Sequence, residues 1–218
     1  LKTLPFLEIK SVFSHLAGSD EEGLDEFTQE QLALFDSLSQ KLLKAIKSKA
    51  IRHIANSSGI TRFPEAQFDM VRLGIGMYGF NKELQSQLQT VAKLKSTISQ
   101  IKHVAQGESV GYGRKGKAVN DIRIATIAIG YADGLNRLLS NGLGEVFIRG
   151  KRAAIIGNVC MDMTMIDVSE VPEAKVGDQV EIFGEEILAT EIATKTKTIP
   201  YEVLTGISER VKRVFFVD

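Results

Sequence analysis

The chain has 218 residues, of which 44% are hydrophobic and 25% charged, a balance typical of a soluble globular protein with room for one large domain or two modest ones. Lys+Arg and Asp+Glu each total 27, so no overall basic field recruits nucleic acid or an anionic membrane surface. No apolar run approaches the roughly eighteen residues needed to span a bilayer, nothing reads as a signal peptide, and the lone Cys160 cannot close an internal disulfide. A cytoplasmic protein is the expectation.

The first 80 residues alternate strand-like and helix-like stretches. Ser11–Leu16 reads as a short strand. Thr28 with Gln31 suggests a capping box, and the following run to about Ser48 is helical, with Phe35, Leu38, Leu42 and Ile46 forming an apolar stripe. Ile51–Ala55 reads as a second strand, Ser57 and Ser58 open a short helical turn, and Met70–Ile75 reads as a third strand. Strands separated by helices imply parallel βα units. Three units are too few to close a barrel, which takes eight units and about 250 residues. The expected fold is therefore α/β plus β, the C-terminal portion of a (β/α)8 barrel over residues 1–85 followed by a β-rich, barrel- or sandwich-like domain over 92–218. The chain opens at Leu1 and runs straight into apolar sequence, which suggests a piece of a longer polypeptide.

Asn81–Thr90 is polar and helix-prone, the expected connector. After Ala92 short β-rich runs follow in quick succession: Leu94–His103, Ile122–Ile129, Val146–Arg149, Ala153–Ile156, Thr164–Val168, Gln179–Phe183 and Val211–Val217. Turns rich in Gly and Asp separate several of them. Arg149, Lys151 and Arg152 around Gly150 read as a solvated hairpin rather than a binding stripe.

Several motifs admit both a chemical and a structural reading. Gly74-Ile-Gly-Met-Tyr-Gly79 formally matches a dinucleotide fingerprint, but no helix begins inside it and Lys93–Ser99 offers no acid for a ribose. Its glycines still allow backbone N–H groups to approach a phosphate. Arg72 lies at the C-terminal end of a predicted strand, where βα barrels keep catalytic groups, although an ion-paired surface arginine fits as well. Ser57 suits an N-cap or an anion site. His15 and His53 fall in successive strand-like segments, and Tyr112 sits in the flexible turn Gly111-Tyr-Gly113. Cys160-Met-Asp-Met163 lacks the paired spacing of a metal site, and no metal is expected.

Taken together, these segments resemble the alanine racemases. Phe13-Ser-His-Leu-Ala, His53-Ile-Ala-Asn-Ser-Ser, Met70-Val-Arg-Leu-Gly-Ile-Gly-Met-Tyr-Gly, Val110-Gly-Tyr-Gly, Ile129-Gly-Tyr-Ala-Asp-Gly, Cys160-Met-Asp and Ile199-Pro-Tyr-Glu-Val occur in the family's order from Phe13 to Val203. The resemblance implies a barrel that binds pyridoxal 5'-phosphate, a β domain, and interconversion of L- and D-alanine for peptidoglycan. It also implies a homodimer whose active sites combine two subunits. Tyr112 matches the tyrosine that serves as base on one face of the α-carbon, within a relay from Tyr112 to His15 to Arg72, backed by His53. Arg72 would face the cofactor's pyridine nitrogen and hold its own proton there. Ser57, Gly74, Ile75 and Tyr201 would hold the phosphate. Met161 would meet the substrate carboxylate, with Asp162 and Tyr131 lining the entrance.

Departures from the pattern are informative. The family's second base, a lysine that also bonds the cofactor, belongs to a Lys-Ala-Asn-Ala-Tyr motif that residues 1–218 lack. On that reading the chain alone is inactive. Asn158 stands where many relatives carry an arginine. Two other functions fit parts of the pattern: a related barrel racemase acting on another amino acid such as serine, and a non-catalytic dimerisation or regulatory module. The module has no use for Tyr112, Arg72 and His15 together.

Overall fold

Two three-residue strands, β1 (Ser11–Phe13) and β2 (Ile51–His53), pair in parallel with Phe13 opposite His53 in the computed structural model, which describes Leu4 and residues 6–216. The connection between them is the 22-residue helix α1 (Asp25–Ile46), the crossover that a parallel pair requires. The helix starts earlier than Thr28 predicts. A 3-10 turn over Glu22–Leu24 leads directly into Asp25, no side chain caps the end, and Thr28 is buried in the first turn. Its buried face carries Thr28, Leu32, Phe35 and Ser39, while Leu38 and Leu42 of the expected stripe are 54% and 39% exposed. Both patterns repeat every three to four residues, so periodicity alone does not choose between them. Leu32 and Phe35 pack with Leu16, Ile54, Ala55, Phe63 and Ala66. Burying a phenylalanine such as Phe35 stabilises this cluster by roughly 1.5–3 kcal/mol.

Helix α2 (Ser57–Arg62) follows β2. Its cap is Asn56, whose Oδ1 accepts the Gly59 N–H at 2.9 Å, so Ser57 is free for another task. Residues 70–75 do not form the expected third strand. The stretch from Asp69 bonds only at intervals to β2 and the residues just after it, Asp69 N–H to the Arg52 carbonyl and Arg72 N–H to that of Ala55, and then turns into a 3-10 helix over Ile75–Tyr78. The connector holds only a short 3-10 turn, Gln85–Gln87.

The chain divides into two compact units, Leu1–Gln89 and Thr90–Asp218. In the second, the long strand β3 (Leu94–Val104) precedes the two-residue strands β4 (Ser109–Val110) and β5 (Gly116–Lys117), which form their own hairpin. Strands β6 (Ile122–Ile127), β7 (Glu145–Ile148), β8 (Lys151–Ala154), β9 (Thr164–Asp167) and β10 (Gln179–Phe183) complete a six-stranded antiparallel sheet of order β8-β7-β10-β3-β6-β9. Its two end strands meet. Ile155 bridges Ile166, and the Ile156 N–H donates to the Met165 carbonyl at 2.9 Å, giving the sheet a partly barrel-like closure. Ile98, Ile127, Val146, Ile148, Ile155, Ile166 and Ile182 are almost fully buried in this unit.

The basic hairpin expected at Gly150 is present. Arg149 and Gly150, both with positive φ, form the two-residue turn between β7 and β8. Arg149 pairs with Asp178, and Arg152 with Glu191 and Glu145. Two short helices were hidden among the β-rich runs, α3 (Ala189–Lys195) and α4 (Pro200–Thr205). The strand expected over Val211–Val217 is absent through residue 216, and Val217 lies outside the described residues. No helix among the described residues is long and apolar enough to cross a membrane.

Candidate active site

In the first unit the candidate residues converge on Arg72. One guanidinium nitrogen lies 2.6 Å from Nδ1 of His53 and the other 3.2 Å from Nδ1 of His15. The same group donates to the carbonyls of Ser14 at 2.7 Å, Ile54 at 3.1 Å and His53 at 3.4 Å. β1 and β2 present these partners because their register places Phe13 beside His53, and Ser14 N–H continues the pairing to the His53 carbonyl. An arginine cannot accept, so each facing Nδ1 acts as the acceptor and the ring proton belongs on Nε2. Burial and the neighbouring Arg72 charge both lower the His53 pKa. The result is an immobilised cation with two imidazoles against it. Phe13 stacks flat on His53, with centroids 5.3 Å apart, and lies under Arg72.

Ser57 has a second role in place of capping. It is buried, and its Oγ accepts the N–H groups of Gly74 at 3.0 Å and Gly76 at 3.3 Å. Ile75 lies between them at the start of the 3-10 turn. Two amide donors and one hydroxyl thus meet at a point. An anion placed there would take the Ser57 hydroxyl proton and could replace Ser57 Oγ as acceptor of the two amide protons, so this donor set fits a phosphate. The formal dinucleotide fingerprint is a 3-10 turn rather than a strand-to-helix junction.

The second unit holds the other candidates. Tyr112 projects from a turn in which Gly111, Gly113 and Arg114 all have positive φ, and it is 74% exposed. Asn158 Nδ2 donates to the Tyr112 carbonyl at 3.0 Å, and Asn158 Oδ1 accepts from Asn141 at 3.2 Å, so this asparagine braces the turn. Tyr131 and Met161 lie on loops joined through the backbone: Tyr131 N–H donates to the Cys160 carbonyl at 2.9 Å and Ala132 N–H to that of Met161 at 3.0 Å. Asp162 is exposed beside them. Tyr201 is half-exposed on α4. A cavity of about 150 Å³ in this unit is lined by Tyr131, Leu135, Ile182, Phe183, Glu202 and Val203, and takes in only Tyr131 of the candidates. Burial raises the Cys160 thiol pKa, which leaves it unsuited to nucleophilic work.

His15, His53 and Arg72 therefore form one cluster, Ser57 with Gly74 and Ile75 another, and Tyr131 with Met161 and Asp162 a third. Sequence reading gave no role to Phe13, the Ser14 carbonyl, Gly76 or Arg210. Phe13 and Ser14 lie next to His15 in a quoted motif, and Gly76 is the second glycine of the fingerprint. Arg210, which binds both Asp133 and Asp162, carries no local signal.

Residues 1–82 match the family described as alanine racemase, N-terminal domain, and residues 91–215 the alanine racemase, C-terminal domain. Alanine racemase 2 of Caldanaerobacter subterraneus subsp. tengcongensis is 45% identical over 99% of this chain and 57% of its own length. The alanine racemase of Clostridium difficile 630, solved as a complex with cycloserine, superposes with a TM-score of 0.88 at 36% identity, covering 96% of this chain and 57% of that one. That of Bartonella henselae, solved with covalently bound pyridoxal phosphate, gives 0.84 at 33% identity, covering 96% of this chain and 57% of that one. The chain thus spans little more than half the length of these relatives.

Proposed function

Since the chain belongs to the alanine racemase family, we propose that it forms part of an enzyme interconverting L- and D-alanine with pyridoxal 5'-phosphate. In this reading residues 1–85 are the C-terminal part of a (β/α)8 barrel, and residues 92–218 are a β-rich domain that delivers Tyr112. When bound, pyridoxal phosphate supplies an electron-withdrawing ring that acidifies the α-proton of alanine. Ser57 and the amides of Gly74 and Gly76 would hold its phosphate, joined by Ile75 and Tyr201. Arg72 would face the ring nitrogen.

One observation carries the reading, the grip on Arg72. Three carbonyls and two imidazoles fix this guanidinium. A fixed arginine donates a hydrogen bond yet keeps its proton, which suits a group that must orient a basic nitrogen without charging it. Tyr112 is the proposed base on one face of the α-carbon. Its exposure on a glycine-flanked turn suits a group offered to a partner surface, as in a homodimer with shared active sites. Free tyrosine titrates near pH 10, so His15, its Nδ1 held by Arg72, is assigned to stabilise the phenolate by donating from Nε2. Met161 and Asp162 would meet the substrate at a rim that includes Tyr131. The second base, a lysine, would come from sequence other than residues 1–218. A cytoplasmic supply of D-alanine for peptidoglycan is the proposed role.

The test is racemisation by a polypeptide containing this chain together with the lysine-bearing segment. In deuterium oxide, D-alanine should form from L-alanine and gain α-deuterium, in a manner dependent on pyridoxal phosphate. Absence of both products would remove the reading.

A further inference from the structure

Arg210 lies on the irregular segment after α4, and its guanidinium reaches two loops distant in sequence. Its Nε donates to Asp133 Oδ1 at 2.8 Å, and an Nη donates to Asp162 Oδ1. The Asp133 side chain is only 13% exposed and is already engaged: its other oxygen accepts the Gly130 N–H at 2.8 Å. The Asp133 carbonyl accepts the Ser208 N–H at 3.0 Å. The loops themselves touch closely. A Cβ at Gly130 would lie 2.3 Å from the Cys160 carbonyl oxygen, and one at Gly134 would lie 2.5 Å from that of Gly206. Three segments, 130–134, 160–162 and 206–210, thus meet where Tyr131 and Met161 are carried. Among the described residues, Arg210 is the side chain that bonds to acids on both loops.

We infer that Arg210 is a positioning residue: it locks the Tyr131 and Met161 loops into one rim and offsets half of the charge of that rim's two carboxylates. The fork of a guanidinium can serve two carboxylates at once, whereas an ammonium is a single point of charge. Without Arg210 the net charge of the rim would go from one negative to two, and of its hydrogen bonds to the 206–210 segment only the one from Ser208 N–H to the Asp133 carbonyl would remain. What the rim does, admitting an amino acid with its own carboxylate, rests on the proposed racemase function. The rim's cohesion does not.

Amide hydrogen exchange on the full chain, read by NMR, tests the cohesion. Arg210→Gln should speed exchange at Tyr131, Ala132 and Ser208 by about three- to tenfold, the range for a largely exposed charge-assisted contact that controls local opening. Arg210→Lys should recover part of the protection, and the Ile127 and Ile166 amides should not change. Unchanged rates at Tyr131 and Ala132 in Arg210→Gln would overturn the inference. If Arg210→Gln exchanges fast everywhere, Asp162→Ala decides, because it removes one exposed contact only: a selective rise at Ala132 supports the lock, and no rise overturns it. In the complete racemase, Arg210→Gln should raise KM for alanine several-fold with kcat little altered, and added salt should shrink the rise by screening. An active enzyme whose KM does not move would overturn the rim's electrostatic role. If the unaltered protein does not racemise alanine, the proposed function falls, while the exchange result still judges the lock.

Discussion

Nδ1 of His53 lies 2.6 Å from a guanidinium nitrogen of Arg72, and that contact requires a neutral imidazole because the arginine can only donate. Burial and the Arg72 charge hold the His53 pKa below its usual value near 6.5. A folded-state pKa depressed in this way favours the neutral ring. The resulting stability is fully present above about pH 6.5 and is lost as pH falls from there toward the lowered value, because the unfolded chain takes up the proton first. The urea midpoint of the native chain should therefore drop between pH 7.5 and pH 5. His53→Gln, whose amide oxygen can still accept from Arg72, should lose less over the same interval. Parallel declines in the two proteins would show that His53 is not the group responsible.

Tyr112→Phe removes one oxygen from a side chain that is 74% exposed, so folding should be unaffected. In the complete racemase alanine turnover should fall about 10²–10⁴-fold, the usual contribution of a general acid–base group. The loss should be one-sided in isotope exchange: the variant should still wash the α-deuterium out of one alanine enantiomer and far less from the other. Equal suppression for both enantiomers would remove Tyr112 from the role of face-specific base.

Ser57→Ala deletes the oxygen that gathers the Gly74 and Gly76 N–H groups. A hydrogen bond to a charged group is worth about 1.5–3 kcal/mol, so the Kd of the complete protein for pyridoxal phosphate should rise roughly 10- to 100-fold by absorbance titration. Pyridoxal without its phosphate gives the contrast, since its affinity should barely change. Equal weakening of both ligands would point to collapse of the site instead.

The lysine assignment has a chemical test. Borohydride reduction of the 218-residue chain mixed with pyridoxal phosphate should leave no stoichiometric pyridoxyl label on any one lysine. Peptide mapping that finds a single fully labelled lysine would place the covalent attachment within this chain.

Away from the site, Asp178 has its pKa lowered to about 2, first by the hydrogen bonds from Arg149 and then by the Lys175 backbone N–H. Its contribution is present above the usual carboxylate value of 3.8 and is lost as pH falls toward 2. Asp178→Asn should lower the melting temperature at pH 7, and the gap from the native protein should close near pH 2. A gap that persists undiminished at pH 2 would exclude the ion pair as its cause.

The features legible in the sequence are those with local causes. The length of α1 follows from sustained helical periodicity, and the β7–β8 hairpin from a turn at Gly150. The buried face of α1 was harder to read, because Leu38 and Leu42 have the same spacing as Leu32 and Phe35. Met70–Ile75 has strand-like composition, but around it only Asp69 bonds to β2 and Arg72 to Ala55 just beyond it, so composition misled. Ala189–Lys195 is too short for its period to stand out among strands. At the site, His15 and Arg72 are 57 residues apart. No spacing rule joins them, and only the ordered motifs of a family brought them to one place. Arg210 and Asp133 are 77 residues apart and Arg210 belongs to none of the motifs, so that contact emerged only from the fold.

Gly130 has extended backbone, φ −146° and ψ −166°, so it is not glycine for the sake of an unusual torsion. Two carbonyl oxygens, of Cys160 and Met161, would lie 2.3 and 2.4 Å from any Cβ there. Gly107, Gly142 and Gly177 are the reverse case, with positive φ and open space around them. In a saturation library these positions should separate sharply. Asparagine or aspartate, which tolerate left-handed torsions, should survive at 107, 142 and 177. Position 130 should accept no replacement at all, alanine included, because no choice of side chain can make room for its first carbon.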